Sequence, residues 1–214
     1  EKLKIARLTA QATDIRLRVK ENFSMISKII DWDNMFSPRA VPAKALGISP
    51  PTRKIMAWML KKPQERIEKF NKWMGTGGAR LEMDVLPALF SGTLFTMVPA
   101  DPGKTDIRAN RSAQIDAGRA VQRLWLEAAA QGVSFQPSYA ALVFSYYGGQ
   151  HQAFSNVPGL TEKAEKLYQD WADLFGENAS HVAFMGRFGY PRKTKFAARS
   201  VRLPLKELIV KDHR

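Results

Sequence analysis

The chain has 214 residues, no cysteine, 45% hydrophobic content and a formal net charge of +13. That length accommodates one large domain or two small ones with a real core. The lack of Cys excludes disulfides, thiolate metal sites, iron–sulfur clusters and cysteine nucleophiles, and no apolar run approaches the roughly 20 residues that cross a bilayer.

The charge is uneven. Residues 1–80 hold 17 Lys and Arg against 7 Asp and Glu, a net +10, so the remainder is close to neutral at +3. Such an excess suits an anionic partner or a well-solvated surface. No nucleic-acid motif accompanies it, so nucleic acid is not the expected partner. No signal peptide or membrane span is visible, and a cytoplasmic protein is expected.

In chain order, residues 1–30 read as a basic amphipathic helix, with Leu8, Ala12, Ile15, Val19 and Phe23 at helical spacing. A break near Thr13-Asp14, with a cap there for a second helix, fits the pattern. Pro38, Pro42, Pro50 and Pro51 make residues 31–52 irregular. Asp31, Asp33 and Asn34 read as turn and cap residues, because the loop lacks the Gly and distal Glu of a calcium loop. Helical spacing resumes over Arg53–Met74, and Pro63 divides it into two helices. Gly75-Thr76-Gly77-Gly78 lacks the Gly-Lys-Ser/Thr ending of a P-loop and reads as a helix stop and a turn. A short helix over Asp84–Phe90 and a strand over Thr93–Val98 follow.

Residues 112–131 form the clearest helix, with Ile115, Gly118, Val121/Gln122, Trp125 and Ala128/Ala129 on one face and Gly132 to end it. Ser134 to Tyr139 then form a turn, with Pro137 placed to open the helix that runs to Tyr147. Leu160–Phe175 is amphipathic, with Thr161 as a cap, and Gly176 stops it. Val182–Met185 is an apolar strand, punctuated afterwards by Gly186, Gly189 and Pro191. Basic residues interleave with it and follow it as a tail, Arg187, Arg192, Lys193, Lys195, Arg199, Arg202 and Lys206, and Leu203–Val210 is a short apolar segment suited to a partner surface. Arg forks and Lys point charges in such a tail suit a phosphate. His151, His181 and His213 show no metal spacing, and no metal site is expected. No nucleophile elbow or Ser-His-Asp pattern is present, and no carboxylate pair stands out for acid–base work.

Several of these segments carry a family resemblance. Phe188-Gly189-Tyr190-Pro191, followed by Ala198-Arg199-Ser200-Val201-Arg202-Leu203-Pro204, resembles the C-terminal end of nitroreductase-like FMN oxidoreductases. Residues 117–128 resemble that family's long core helix, and Gly132 with Phe135-Gln136-Pro137 resembles its flavin-side turn. The match is strongest over residues 85–205 and is nearest to a divergent bacterial branch, some members of which are fused to an adenylylation domain.

The resemblance implies an α+β fold, a nitroreductase-like α/β sandwich that is mostly helical with a small central sheet. It divides the chain into a basic helical region with a Pro-rich linker, residues 1–80, and a core portion, residues 81–214. It implies a homodimer holding FMN and using NAD(P)H to reduce a nitro, quinone or other small-molecule acceptor by a ping-pong route. Gln136, Pro137, Ser138 and Tyr139 would lie beside the flavin ring. Arg199 and Arg202, supported by Lys193 and Lys195, would close on its phosphate. The resemblance assigns no catalytic side chain. A plain strand-to-helix turn is an equal reading of residues 136–139.

The chain also departs from the family. The Arg-Arg-Ser-type phosphate grip of the N-terminal helix is absent, and Arg7 and Arg16-Leu17-Arg18 are poor substitutes for it. On the resemblance, the chain covers the C-terminal part of the fold, and a preceding segment or fused domain would supply the rest. The alternative is a non-catalytic relative that serves as an interaction or flavin-sequestering module, its basic half facing an anionic partner. A helical nucleic-acid module fits less well, since no strand interleaves aromatic and basic residues.

Overall fold

The computed structural model describes residues 1–101, 107, 110–191 and 197–209. Its elements run in order: α1 (Lys2–Arg16), α2 (Phe23–Ile29), β1 (Ile30–Asp31), β2 (Phe36–Ser37), β3 (Val41–Pro42), α3 (Pro50–Leu60) and α4 (Pro63–Trp73). Then come α5 (Gly77–Arg80), a π-helical turn (Leu81–Val85), α6 (Leu86–Phe90), β4 (Thr93–Met97), α7 (Arg111–Ala130) and β5 (Ser134–Pro137). The remainder is α8 (Tyr139–Gly149), α9 (Leu160–Phe175), β6 (Phe184–Gly189), β7 (Arg199–Ser200) and α10 (Leu205–Leu208). The fold is mixed α+β and mostly helical. Among the described residues, no helix is long and apolar enough to cross a membrane.

The sequence reading placed its boundary after residue 80. Contacts group the chain into a first unit of Glu1–Val19 with Thr76–Arg192, and a second of Lys20–Gly75 with Lys193–Arg214. Helix α1 therefore belongs with the later residues. Expected as part of one helix over residues 1–30, it ends at Arg16, and Thr13 and Asp14 lie buried inside it rather than capping a second helix.

In the first unit, the core gathers Leu8, Ala12 and Ile15 of α1, Ala141, Leu142 and Phe144 of α8, and Leu160, Ala164, Leu167 and Trp171 of α9. Burying large aliphatic and aromatic side chains stabilises by about 1.5–3 kcal/mol each. The Trp171 indole N–H is satisfied by the Ala179 carbonyl at 2.9 Å. At Gly148, α8 comes so close to α9 that an added Cβ would sit 2.0 Å from the Ala164 carbonyl oxygen. Glycine is the residue that permits this approach.

The sheet of this unit is antiparallel, in the order β4-β6-β5. Alternation sorts its side chains into two faces. One face carries a cluster of Phe95, Phe135, Phe184 and Phe188, and Trp125 of α7 stacks on Phe135 at 4.5 Å between centroids. The opposite face carries the cross-strand row Leu94–Arg187–Gln136. The strand expected over Val182–Met185 instead spans Phe184–Gly189, because Gly186 and Gly189 pair within the ladder rather than ending it.

Helix α7 stops as expected. Gly132 has φ +70° and its N–H bonds the Ala129 carbonyl, while Val133 bonds that of Ala128. That pair of bonds is a Schellman closure. Its inward face differs by one residue from the expected one: Ala113, Ala117, Val121, Leu124 and Ala128 are the sheltered positions. Ile115 and Trp125 remain about half exposed, at 53% and 45%.

The second unit centres on Phe23, Ile30, Ala43, Leu60 and Ile67. Pro63 separates α3 from α4, as read from the sequence, and the Ser49 side chain caps α3. Two short parallel pairs, β1–β3 and β2–β7, complete it. The Asp31 carboxylate accepts the backbone N–H groups of Asp33 and Asn34, which is the turn role expected for it. Residues of this unit carry 18 Lys and Arg against 7 Asp and Glu, a net +11 out of the chain's +13.

A single buried carboxylate ties the first unit together. Asp14 accepts from the Thr76 hydroxyl, from Lys163 Nζ of α9 at 2.7 Å and from Arg18 Nε at 2.9 Å. Burial alone would raise its pKa, but hydrogen bonds from Lys163, Thr76 and Arg18 outweigh that and hold it at about 2. A folded pKa below the unfolded value means stability that is fully present above about pH 4 and lost as pH falls toward 2. The Asp14→Asn variant is therefore expected to lose about 2 kcal/mol at pH 7 in denaturant titrations. The gap from wild type should close as the pH approaches 2.

Candidate functional site

Helix α1, the π turn, Ala88 of α6, the sheet and the start of α8 converge on one cavity of about 120 Å³ in the first unit. Helix α1 contributes Thr9, Thr13 and Arg16, which at i, i+4 and i+7 share one face. The π turn contributes Met83 and Asp84. The cavity face of the sheet contributes Leu94, Gln136 and Arg187, and the start of α8 contributes Ser138, Tyr139, Ala140 and Ala141. A π turn inserts an extra residue into a helix and often marks a functional site.

Asp84 is the unusual group. Its Oδ2 is shielded from solvent and has no hydrogen-bond partner. Desolvation pushes its pKa up to about 6, although hydrogen bonding by Thr13 and the charges of Arg16, Arg187 and Arg80 pull the other way. Burial lowers the pKa of Arg16 and of Arg187, and Asp84 opposes the effect on both. The cavity thus holds two guanidinium groups and an incompletely satisfied carboxylate. An N-terminal helix end adds further positive potential, since the first amides of α8 lack intrahelical partners.

Gln136 and Arg187 are cross-strand partners, and the Gln136 amide oxygen accepts from Arg187 Nη2 at 2.6 Å and from Nε at 3.2 Å. Gln136 therefore fixes the direction of the guanidinium. The structure brings all four residues named from the turn, Gln136, Pro137, Ser138 and Tyr139, to the lining of this cavity. One detail differs: Pro137 closes β5 rather than opening α8, and Ser138 takes the cap position. The Ser138 N–H is engaged by the Met185 carbonyl at 3.0 Å, so it is not free for a ligand.

Arg199 and Arg202 lie in the second unit and are exposed. Arg199 pairs with Phe36 in β7–β2, and its guanidinium stands 5.8 Å from the Phe36 ring centroid. Lys193 and Lys195 fall outside the described residues. Of the histidines, His151 contacts Glu165 at 2.8 Å and His181 has a shielded Nδ1 without a partner.

The sequence does not single out Asp84, groups Arg187 with the basic tail, and offers Arg16 only as a poor substitute for the absent phosphate grip. Two signals were available. Thr9, Thr13 and Arg16 form a polar stripe at i, i+4 and i+7 beside the apolar stripe of Leu8, Ala12 and Ile15. Asp84 is an acid at the head of the apolar run Val85–Phe90.

Compared with protein-family models, with curated proteins and with solved structures, the chain matches none of them.

The raised pKa of Asp84 has a consequence for stability. A folded pKa above the unfolded value means that ionised Asp84 weakens the fold, so stability falls as pH rises from about 4 through about 6. Asp84→Asn is expected to stabilise the protein at pH 8 by about 1 kcal/mol, a figure discounted because the residue is only partly buried. Thermal melts at pH 4 should show no such gain.

Proposed function

We propose that this protein is an FMN-dependent oxidoreductase of nitroreductase type, taking electrons from NAD(P)H and passing them to a nitro, quinone or other small acceptor. The observation that carries the reading is the convergence of Gln136, Pro137, Ser138 and Tyr139 on one cavity with Arg16, Arg187 and Asp84. A flavin ring presents carbonyl oxygens and a ring N–H along one edge. Two guanidinium groups and an unpartnered carboxylate oxygen are the complementary set. The cavity is smaller than the roughly 300 Å³ or more of a pocket that encloses a whole ligand. It therefore suits one ring of the flavin, with the remainder held elsewhere.

Bound FMN would supply the hydride and electron transfer. The chain's own part is positioning and electrostatics. Arg16, Arg187 and the start of α8 present positive charge, which favours a ligand that gains electrons. Gln136 holds Arg187 in its direction, and Leu94, Met83 and Pro137 line the rest. The resemblance alone, and no feature of the cavity, nominates Arg199 and Arg202, with Lys193 and Lys195, for a phosphate.

A homodimer belongs to the same reading. Helix α7 leaves Ile115, Trp125 and Leu126 exposed over much of its length, an apolar surface of the kind a second copy covers. A second reading, a non-catalytic interaction module, draws on the net +11 of the second unit and on Trp73, which is 85% exposed. Salt-sensitive retention on heparin without flavin uptake would favour that reading.

Titration of the purified protein with FMN, followed by flavin fluorescence, is expected to show saturable binding of one FMN per chain and NAD(P)H oxidation once loaded. Arg187→Leu should weaken FMN binding by about tenfold to a hundredfold, the range for losing a charged hydrogen bond. A protein that takes up no FMN contradicts the proposal. Sedimentation should show Ile115→Glu shifting dimers toward monomers, and an unchanged dimer would remove α7 from the interface.

A further inference from the structure

The second unit carries an apolar surface that its own core does not use. Helices α3 and α4 turn one stripe inward, where Met56, Met59, Leu60 and Ile67 meet the core. A second stripe on the same pair lines an open groove of about 590 Å³. Each helix contributes the same triplet to it: a lysine, an apolar neighbour and, one turn on, a tryptophan. On α3 these are Lys54, Ile55 and Trp58, and on α4 they are Lys69, Phe70 and Trp73. Trp58 is 51% and Trp73 85% exposed. Trp58 is held in place, because the Arg66 guanidinium lies 4.7 Å over its ring and donates to its backbone carbonyl at 2.7 Å. Two indoles on one face are costly for a surface that meets only water.

The charge around the groove restricts what covers it. Residues 50–74 hold seven Lys and Arg against two acids, Glu65 and Glu68. Both acids are engaged, by Lys69 at 3.0 Å and by Lys20 at 2.8 Å. Among the described residues, Lys54, Lys61, Lys62 and Lys72 have no anionic partner. The complement is therefore anionic and also takes up indole rings. A small anion does not fit, since an enclosing ligand site needs several placed polar groups and this lining is otherwise apolar or aromatic. A protein partner fits poorly, because lysine is depleted at such interfaces and covering Lys54 and Lys69 would cost desolvation. A layer of anionic lipid headgroups meets both demands. Indole rings settle at the membrane–water boundary. Lysine stems lie along apolar surface while their ammonium groups reach the lipid phosphates. We propose that the α3–α4 face is a peripheral membrane-contact site for anionic phospholipid, with Trp58 and Trp73 entering the interface and the unpaired lysines around them meeting the headgroup charge. Such a face lies on a bilayer without spanning it. It needs neither the cavity of the first unit nor a bound flavin.

The test is flotation of the full chain with vesicles of equal parts phosphatidylcholine and phosphatidylserine, beside vesicles of phosphatidylcholine alone, with tryptophan emission as a second readout. Binding to the mixed vesicles is expected to be at least about tenfold tighter, to weaken as salt screens the surface charge, and to shift the emission to the blue. Trp73→Ala keeps every charge and removes a mostly exposed side chain, and it should lower the affinity about tenfold. Lys54→Gln and Lys72→Gln should each lower it about fivefold and flatten the salt dependence. Thermal melts establish that the variants are folded. Equal binding by wild type and Trp73→Ala reduces the attraction to bulk charge and overturns the proposal, as does binding to neither vesicle. A Glu-rich amphipathic peptide that binds in a Trp73-dependent way while the vesicles do not would make the face a protein-docking groove and remove the membrane assignment. FMN titration of Trp73→Ala should match wild type, so this result and the flavin result are read separately.

Discussion

The position of α1 depends on Asp14. A carboxylate taken out of water is costly unless its oxygens are satisfied, and here Lys163, Thr76 and Arg18 satisfy them. Lys163 ties α1 to α9, and Thr76 ties it to the point where the chain enters the first unit again. Removing any one partner leaves buried charge unmatched, which is why such clusters break at a larger cost than they stabilise. The same helix carries Thr9, Thr13 and Arg16 on its cavity face. An anchor on one side of the helix therefore sets the geometry of the chemistry on an adjacent side, and the cavity wall can be rigid without being tightly packed.

Local punctuation made several elements legible from the sequence. The bounds of α9 follow from its apolar stripe and from Gly176, the break between α3 and α4 from Pro63, and the end of α7 from Gly132. Each is decided by residues within one or two turns. What could not be read depended on partners distant in sequence. Asp14 resembled a helix cap because its partners lie 62 and 149 residues away. Arg187 was grouped with the basic tail because Gly186 and Gly189 suggest a broken strand. In the structure these glycines sit inside the ladder, and Gly186 admits the Gln136 carbonyl and the Phe95 ring, which an added Cβ would meet at 2.8 and 3.0 Å. The face of α7 was misread by one position, because small residues on both sides of the stripe give a weak contrast between inside and outside.

The candidate site shows the same division. Residues 136–139 were singled out through a resemblance in a short turn, and they do line one cavity. The groups that give this cavity its polarity, Arg16, Asp84 and Arg187, come from three separate segments, so no local pattern announces them. The charge asymmetry, by contrast, was visible early and becomes sharper in the fold. Moving α1 out of the basic region leaves the first unit near neutral at +2 and the second at +11. The cavity lies in the nearly neutral unit, and most of the chain's excess positive charge lies in the other.

The central claim is that the space between α1, the π turn and the start of α8 receives the ring of a flavin. A crystal structure of the protein soaked with FMN tests it most directly. Density for the ring is expected against Gln136–Tyr139, with a carbonyl oxygen on Arg187. A flavin bound elsewhere on the chain, with this cavity unchanged, would contradict it.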